Sequence, residues 1–204
     1  LDQMIQGQAI SSSLQDVTIE DLLGRDEIPS DPKLMDLEIR GKSVMVTGAG
    51  GSIGSELCLE ILKHEPRRLI LFEISEFSLY RLQQDLSDQD VHRTVPVLGN
   101  ILDKETLSRI LTEHEVQTVF HTAAYKHVPL VEVNPLEGLK NNVLGTKKLV
   151  EVCQQTCVET FILISTDKAV RPTNVMGASK RISELIVQNA ARRDKSTKWS
   201  MVRF

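Results

Sequence analysis

The sequence predicts a doubly wound α/β fold, a parallel sheet with helices on both faces, and two observations carry that expectation. From Gly41 onward, short runs rich in Val, Ile and Leu alternate with helical patterns. Continuous apolar strands separated by helices mark a parallel sheet covered on both sides. The first run, Val44-Met-Val-Thr47, ends in glycines spaced Gly48-x-x-Gly51-x-x-Gly54 and becomes a helical pattern with Ile53, Leu57, Ile61 and Leu62 in period. That is the opening strand–turn–helix of a dinucleotide-binding Rossmann sheet.

The elements follow in order. The first strand is expected at about 43–47 and the first helix at about 52–65, stopped by Pro66. Arg68–Glu73 reads as the second strand, with a helix over about 75–87 after it. A third strand at 93–98 and a helix at 103–112 lead to a fourth strand, Gln117–His121. One long helix is expected from about Pro135 to Cys157, with Leu139, Val143, Leu144, Leu149, Val150 and Val152 as its apolar stripe. Glu159–Ser165 is the fifth strand, 174–192 a further long helix, and 200–204 the sixth strand. Residues 1–40 break this pattern. Only Thr18–Leu23 suggests a capped helical turn, and Pro29 and Pro32 interrupt the stretch after it. They are read as a linker arm ahead of a dinucleotide-binding domain spanning 41–204.

Composition narrows the function class. The chain has 204 residues, is 41% hydrophobic and 25% charged, and carries a net charge of −4. A net negative chain with only 4% aromatics offers neither the basic surface nor the stacking platforms of a nucleic-acid binder. No apolar run approaches the ~20 residues that span a bilayer, so no membrane contact by this piece is expected. Cys58, Cys153 and Cys157 fit no disulfide framework, which suggests a reducing, cytoplasmic setting. Cys153 and Cys157 stand one helical turn apart without His or Cys neighbours, so they read as helix-face residues and no metal is expected. The chain opens on Leu1 and closes at Phe204 inside an apolar run. It therefore reads as a piece of something longer.

The chemistry is expected at the carboxyl ends of the strands. Gly48 would turn the chain off the strand. Gly51, with Ser52 and Ile53, would bring backbone N–H groups to a pyrophosphate, and Gly54 would seat the helix on the sheet. Glu73 closes the second strand about 20 residues on, where an acid accepts ribose hydroxyls and repels a 2′-phosphate, favouring NAD over NADP. Arg67 and Arg68 sit at the strand's other end, while Arg81 on the next helix stays open as a phosphate partner. Asn100 and Ile101 after the third strand, and Ala123 and Ala124 after the fourth, would line the cofactor. The fifth strand exits through Ser165, Thr166, Asp167 and Lys168, and Lys180 on the next helix points back to the same crevice. Such a density of proton-transfer groups beside an inferred nicotinamide suggests catalysis.

Here the chain resembles the extended short-chain dehydrogenases, through the glycines at 48–54, the loop before Tyr125, Asn141-Asn-Val-Leu-Gly-Thr146, and the Ser165/Lys180 placement. Four stretches are narrower: Val46–Glu56, His121–Pro129, Ser165–Ala169 and Pro172–Arg181 look like the bacterial polysaccharide-biosynthesis branch, the UDP-N-acetylglucosamine 4,6-dehydratases. Ile19–Asp26 is similar to the segment ahead of the catalytic domain in the large membrane-anchored members. The resemblance implies an inner-membrane-anchored parent with this domain on the cytoplasmic side. It also implies a UDP-sugar substrate and pairing of subunits through the long helices. A substrate-binding C-terminal part is expected to be truncated here.

The resemblance implies a redox-neutral reaction. NAD oxidises sugar carbon 4, Lys168 takes the carbon 5 proton, and Asp167 protonates the departing 6-hydroxyl before the hydride returns to carbon 6. Lys180 would bind the nicotinamide ribose and Thr166 the 4-hydroxyl, while Tyr125, Lys126, His127 and Asn141 shape the sugar site. Met176 stands where the superfamily carries its catalytic Tyr, a pattern of the large, configuration-retaining dehydratases. A thioether accepts no proton, leaving water, Asp167 or Lys180 to take the one on the 4-hydroxyl. Two other readings stay open: an epimerase or 4-reductase on the same scaffold, and a non-catalytic NAD-binding module, which Met176 would favour.

Overall fold

The computed structural model describes residues 32–156 and 158–204. The turn expected at Thr18–Leu23, the rest of residues 1–31 and Cys157 lie outside the described residues. Six strands form one parallel sheet: β1 (Ser43–Thr47), β2 (Arg68–Glu73), β3 (Thr94–Leu98), β4 (Thr118–His121), β5 (Thr160–Ser165) and β6 (Lys198–Arg203). Their spatial order is β3-β2-β1-β4-β5-β6, so the chain reverses direction across the sheet between β1 and β4. That switch point opens a crevice outside the carboxyl ends of the strands.

Side chains of each central strand alternate between two apolar layers. Met45, Ile70, Phe72, Val119, Phe161 and Leu163 pack on one face and Val44, Val46, Leu69, Leu71 and Phe120 on the other. The first face is covered by α5 (Lys104–Glu113), α8 (Thr146–Cys153) and α9 (Val175–Arg193). The second is covered by α2 (Ser52–Lys63) and α3 (Glu76–Gln84). Burying each such side chain is worth about 1.5–3 kcal/mol against exposure, which makes this two-faced burial the main fold determinant. Caps set the helix starts: Ser75 accepts from Ser78 N, Asp103 from Glu105 N and Thr106 N, and Asn174 from Gly177 N.

Three expectations shift. Residues 32–40 do not belong to a linker, because Pro32–Ile39 forms α1 with Ile39 fully buried under the sheet. Its Glu38 accepts from Thr160 Oγ1 and Lys198 Nζ, and its backbone carbonyl accepts from Thr118 Oγ1, tying the helix to three strands. The helix expected over 75–87 stops at Gln84, with a short α4 (Asp88–Val91) after it. The long helix expected over 135–157 is broken into α7 (Pro135–Leu139), a π-helical turn Lys140–Gly145 and α8, and a short α6 (Val128–Val133) that the sequence reading lacks comes before it. Pro135 lacks an N–H and Asn134 leaves helical geometry, which separates α6 from α7. Among the described residues no helix is long and apolar enough to cross a membrane, and no cluster of potential metal ligands forms.

Candidate functional site

The glycine loop, residues 48–51, is folded by β2 before any ligand arrives. Gly48 adopts φ +69°, and its N–H and that of Ala49 both reach Phe72 O. A Cβ on Gly54 would collide with Gly48 O, so the first turn of α2 lies directly on the loop. At Gly51 a Cβ would meet only Gly48 O, at 3.3 Å, which leaves the loop's outer side open. Gly51 is also the N-cap of α2 and offers no side-chain acceptor. The first-turn N–H groups of α2 are therefore free to meet an anion.

This loop borders a cleft of about 220 Å³ whose walls include Ser52, Ile53, Glu73, Asn100, Ile101, Ala123, Ala124 and Asn141. The cofactor residues expected from sequence, apart from Lys180, meet here, with Asn141 and parts of the expected sugar-binding loop beside them. Glu73 does more than close β2. Its Oε2 accepts from Gly50 N at 2.9 Å and its Oε1 from Ile74 N and Ser75 N, both at 2.9 Å. The carboxylate thus pins the glycine loop to the start of α3. Arg81 stacks its guanidinium 5.9 Å above the Phe77 ring, while Arg67 and Arg68 engage Glu115 and His114 elsewhere. A dinucleotide fits this cradle: open N–H groups for its phosphates, an acid for a ribose and small residues along the far wall.

That far wall is held by a buried hydrogen-bond chain. Ala123 N–H approaches Thr47 Oγ1 at 3.5 Å, and the Thr47 hydroxyl donates to His121 Nδ1 at 2.7 Å. His121 Nε2–H donates to Thr146 Oγ1 at 2.9 Å, which donates to Asn142 O at 2.6 Å. The Ala123 N–H donor at one end and the Asn142 carbonyl acceptor at the other assign this tautomer. Burial, with the nearby Lys180 charge, drives the His121 pKa down to about 3, so the imidazole stays neutral.

A second depression of about 200 Å³ adjoins the cleft. Ile53, Thr122, Ala124 and Lys126 line both, and Thr166, Lys168, Met176 and Lys180 line the second. Lys180 is 6% exposed and donates to Ile164 O at 2.7 Å. Burial lowers its pKa to about 8, against an opposing pull from Glu184. Met176, one helical turn earlier, is 2% exposed. Asp167 stands apart from the depression wall. Its carboxylate accepts from Thr166 Oγ1 at 2.9 Å and Lys168 Nζ at 3.2 Å, and those two contacts hold its pKa below the usual carboxylate range. Lys126 extends to Ser52 Oγ at 2.7 Å, over the start of α2, which groups it with the cofactor cleft as well as the sugar loop. Tyr125 and His127 flank an apolar recess of about 380 Å³ with Leu130 and Val131.

Several site-building residues escape a sequence reading. Asn142, neighbour of the expected Asn141, takes both backbone polar groups of Tyr125: its Oδ1 accepts from Tyr125 N and its Nδ2 donates to Tyr125 O. The π-helical turn brings Asn142 inward to do this, and such turns recur at functional sites. Glu184 is fully buried and accepts from Ser165 Oγ, Arg181 and, through two bonds, Arg203. Burial opposes its ionisation, but these donors together hold its pKa down to about 2. A Cβ on Gly177 would collide with Lys168 O, so this glycine lets α9 press onto the Asp167–Ala169 turn. Asn142, inside the Asn141–Thr146 run, and Gly177, inside the Met-Gly-Ala-Ser-Lys run, stand in stretches the sequence singles out without showing their roles, and Glu184 stands in none.

Residues 44–204 match the profile of the family described as polysaccharide biosynthesis protein. The chain belongs to that family. Relatives in it include the capsular polysaccharide biosynthesis protein CapD of Staphylococcus aureus, 42% identical over all of this chain and 34% of that protein. An inverting UDP-N-acetylglucosamine 4,6-dehydratase of Campylobacter jejuni is 31% identical over 80% of this chain and 48% of its own length. The chain thus spans between a third and a half of these curated relatives. Among solved structures, DesIV of Streptomyces venezuelae, a dTDP-glucose 4,6-dehydratase determined with NAD bound, superimposes with a TM-score of 0.69. It shares 23% identity over 79% of this chain and 55% of DesIV, a likeness of fold. The doubly wound sheet expected from the sequence is the one this family shares with epimerases and dehydratases of sugar nucleotides.

Proposed function

We propose that this chain is the NAD-binding, catalytic portion of a nucleotide-sugar 4,6-dehydratase acting on UDP-N-acetylglucosamine, with retention at carbon 5. One observation carries the reading: the dinucleotide cradle and the Thr166–Lys168–Lys180 depression share a wall. A substrate in the second would lie against a nicotinamide in the first. Bound NAD supplies the two-electron oxidant for carbon 4 and the reductant for carbon 6. The chain's own residues do the rest. Gly51 and the α2 N-terminus, with Lys126, hold the phosphates, and Glu73 holds a ribose. Thr166 orients the 4-hydroxyl, and Lys168 takes the carbon 5 proton and returns it to the same face of carbon 5 as carbon 6 is reduced. Asp167 donates to the leaving 6-hydroxyl after substrate displaces Lys168 and water from its carboxyl, since only a desolvated carboxyl rises into the range of an acid. Met176 in the tyrosine position supports the retaining assignment.

The test incubates the whole protein with UDP-N-acetylglucosamine and catalytic NAD. A UDP-4-keto-6-deoxy sugar with unchanged carbon 5 configuration is the expected product. A 4-epimer, or no product, overturns the reading. The ionised, outward-facing Asp167 favours a second reading, a 4-epimerase or 4-reductase, which needs no acid for a leaving hydroxyl. Asp167→Asn separates the two. A dehydratase loses elimination about a hundredfold or more with NAD binding kept, whereas an epimerase is unaffected.

A further inference from the structure

Met176 leaves the proton of the sugar hydroxyl without its usual acceptor, and the depression itself narrows the choice. The thioether of Met176 is buried in the wall and takes no proton. Asp167 lies outside the wall and is engaged by Thr166 and Lys168. Lys168 is 53% exposed at its side chain and salt-bridged to Asp167. Thr166 has a hydroxyl that can pass a proton on but not keep it. Lys180 differs from all of these. It occupies the same helix face as Met176, one turn on, is nine-tenths buried, and opens into the depression with a backbone carbonyl as the hydrogen-bond partner of its ammonium.

We propose that the Lys180 amine is the catalytic base that accepts the proton of the 4-hydroxyl, directly or through Thr166, taking the place of the missing phenol. This rests on the dehydratase reading above. In the step, the O–H bond of the 4-hydroxyl breaks and its proton bonds to Nζ. The oxygen electron pair closes the carbonyl as the carbon 4 hydrogen leaves with its two electrons to an oxidised nicotinamide dinucleotide. The proton gained by Lys180 is matched by the one later spent on the leaving 6-hydroxyl, so both groups are restored through solvent at the end of a turnover.

The surroundings keep enough neutral amine for this. Burial is the main cause, lowering Lys180 to about 8, and Glu184 on the same helix opposes it from one turn away. The other charged or titratable groups about the depression are Lys168 on the turn after β5, Lys126 on the loop after β4 and His121 at the end of β4. His121 stays neutral, so it adds no repulsion.

The experiment compares the whole wild-type protein with Lys180→Arg and Lys180→Met, using NAD and UDP-N-acetylglucosamine. Three readouts are taken: NAD affinity by titration, the pre-steady-state rate of nicotinamide reduction against pH, and the Lys180 Cε shift by carbon NMR. The wild-type rate should rise with pH, with a midpoint near the one at which the Lys180 resonance titrates. Lys180→Arg keeps the cation, should keep NAD affinity within about threefold, and should reduce NAD at least about a hundredfold more slowly. Reduction by Lys180→Arg at the wild-type rate overturns the proposal. So does loss of NAD affinity that fully accounts for the rate, because Lys180 would then only hold the cofactor. A wild-type protein that binds NAD but never reduces it with this sugar nucleotide overturns the dehydratase reading itself, and this proposal with it.

Discussion

The two halves of the crevice are built on opposite principles. On the β1–α2–β2 side the site is made by leaving side chains out. Gly48 and Gly54 let loop and helix lie in backbone contact, and the surfaces turned to a ligand are N–H groups. On the β5–α9 side it is made by burying polar side chains: Lys180, Glu184, Ser179 and Ser183 all sit inside α9 with little or no exposure. A backbone cradle tolerates no added atom, whereas a buried polar network tolerates no missing partner. Each half should therefore fail under the opposite kind of substitution.

The largest effect is expected from adding an atom to the first half. Gly54→Val drives side-chain atoms into Gly48 O, a backbone group that cannot step aside. It should cost ~3 kcal/mol or more and abolish measurable dinucleotide binding by calorimetry. Next comes removal of charge from the second half. Glu184→Gln breaks up the Ser165, Arg181 and Arg203 contacts. Because both arginines reach solvent, the loss should be about 2 kcal/mol, below that of a fully enclosed pair. A thermal melt should fall by about 4–8 °C. This contribution is full above the ordinary carboxylate value of 4.5 and disappears as pH falls toward about 2, where folded Glu184 itself protonates. The gap between wild-type and Glu184→Gln melts should close over that window. A gap that persists at the acid end would show that packing, not charge, fixes this side.

Asn142→Ala should cost about 1–3 kcal/mol, because it strips both backbone polar groups of Tyr125 of their partner. Its signature is weakened NAD binding in a titration, since Tyr125, whose backbone it holds, lines the cofactor cleft. Lys126→Met should be the mildest, weakening NAD about tenfold, with the wild-type advantage shrinking as salt is raised. Equal salt slopes for both proteins would remove Lys126 from the phosphate site.

The same contrast explains what was legible in the sequence. A glycine pattern after an apolar run is local, so Gly48, Gly51, Gly54 and Glu73 can be read from one stretch, as can the six strands, because two-faced burial writes itself as uninterrupted Val, Ile and Leu. The residues that complete the second half have partners far along the chain. Glu184 meets Arg203, and Asn142 meets Tyr125 and Ser179, and no local pattern announces either pair. The π-helical turn was invisible for a related reason. Its extra residue shifts the helical period only locally, so Leu139, Val143 and Leu144 still read as one stripe. Helix α1 gives little signal because its short apolar run lies between prolines and a charged stretch. It is held by Ile39 in the apolar layer under the sheet and by Glu38 bonds to strands more than a hundred residues away.

The chain of donors from Thr47 through His121 to Asn142 has a direction. Both hydroxyls and the ring Nε2–H donate the same way while Nδ1 accepts, and the Ala123 N–H at one end and the Asn142 carbonyl at the other set that order. With the imidazole protonating only near pH 3, mild acid offers no route to break it. The Thr47 and Thr146 hydroxyl protons, held in this buried chain, should therefore exchange with solvent slowly.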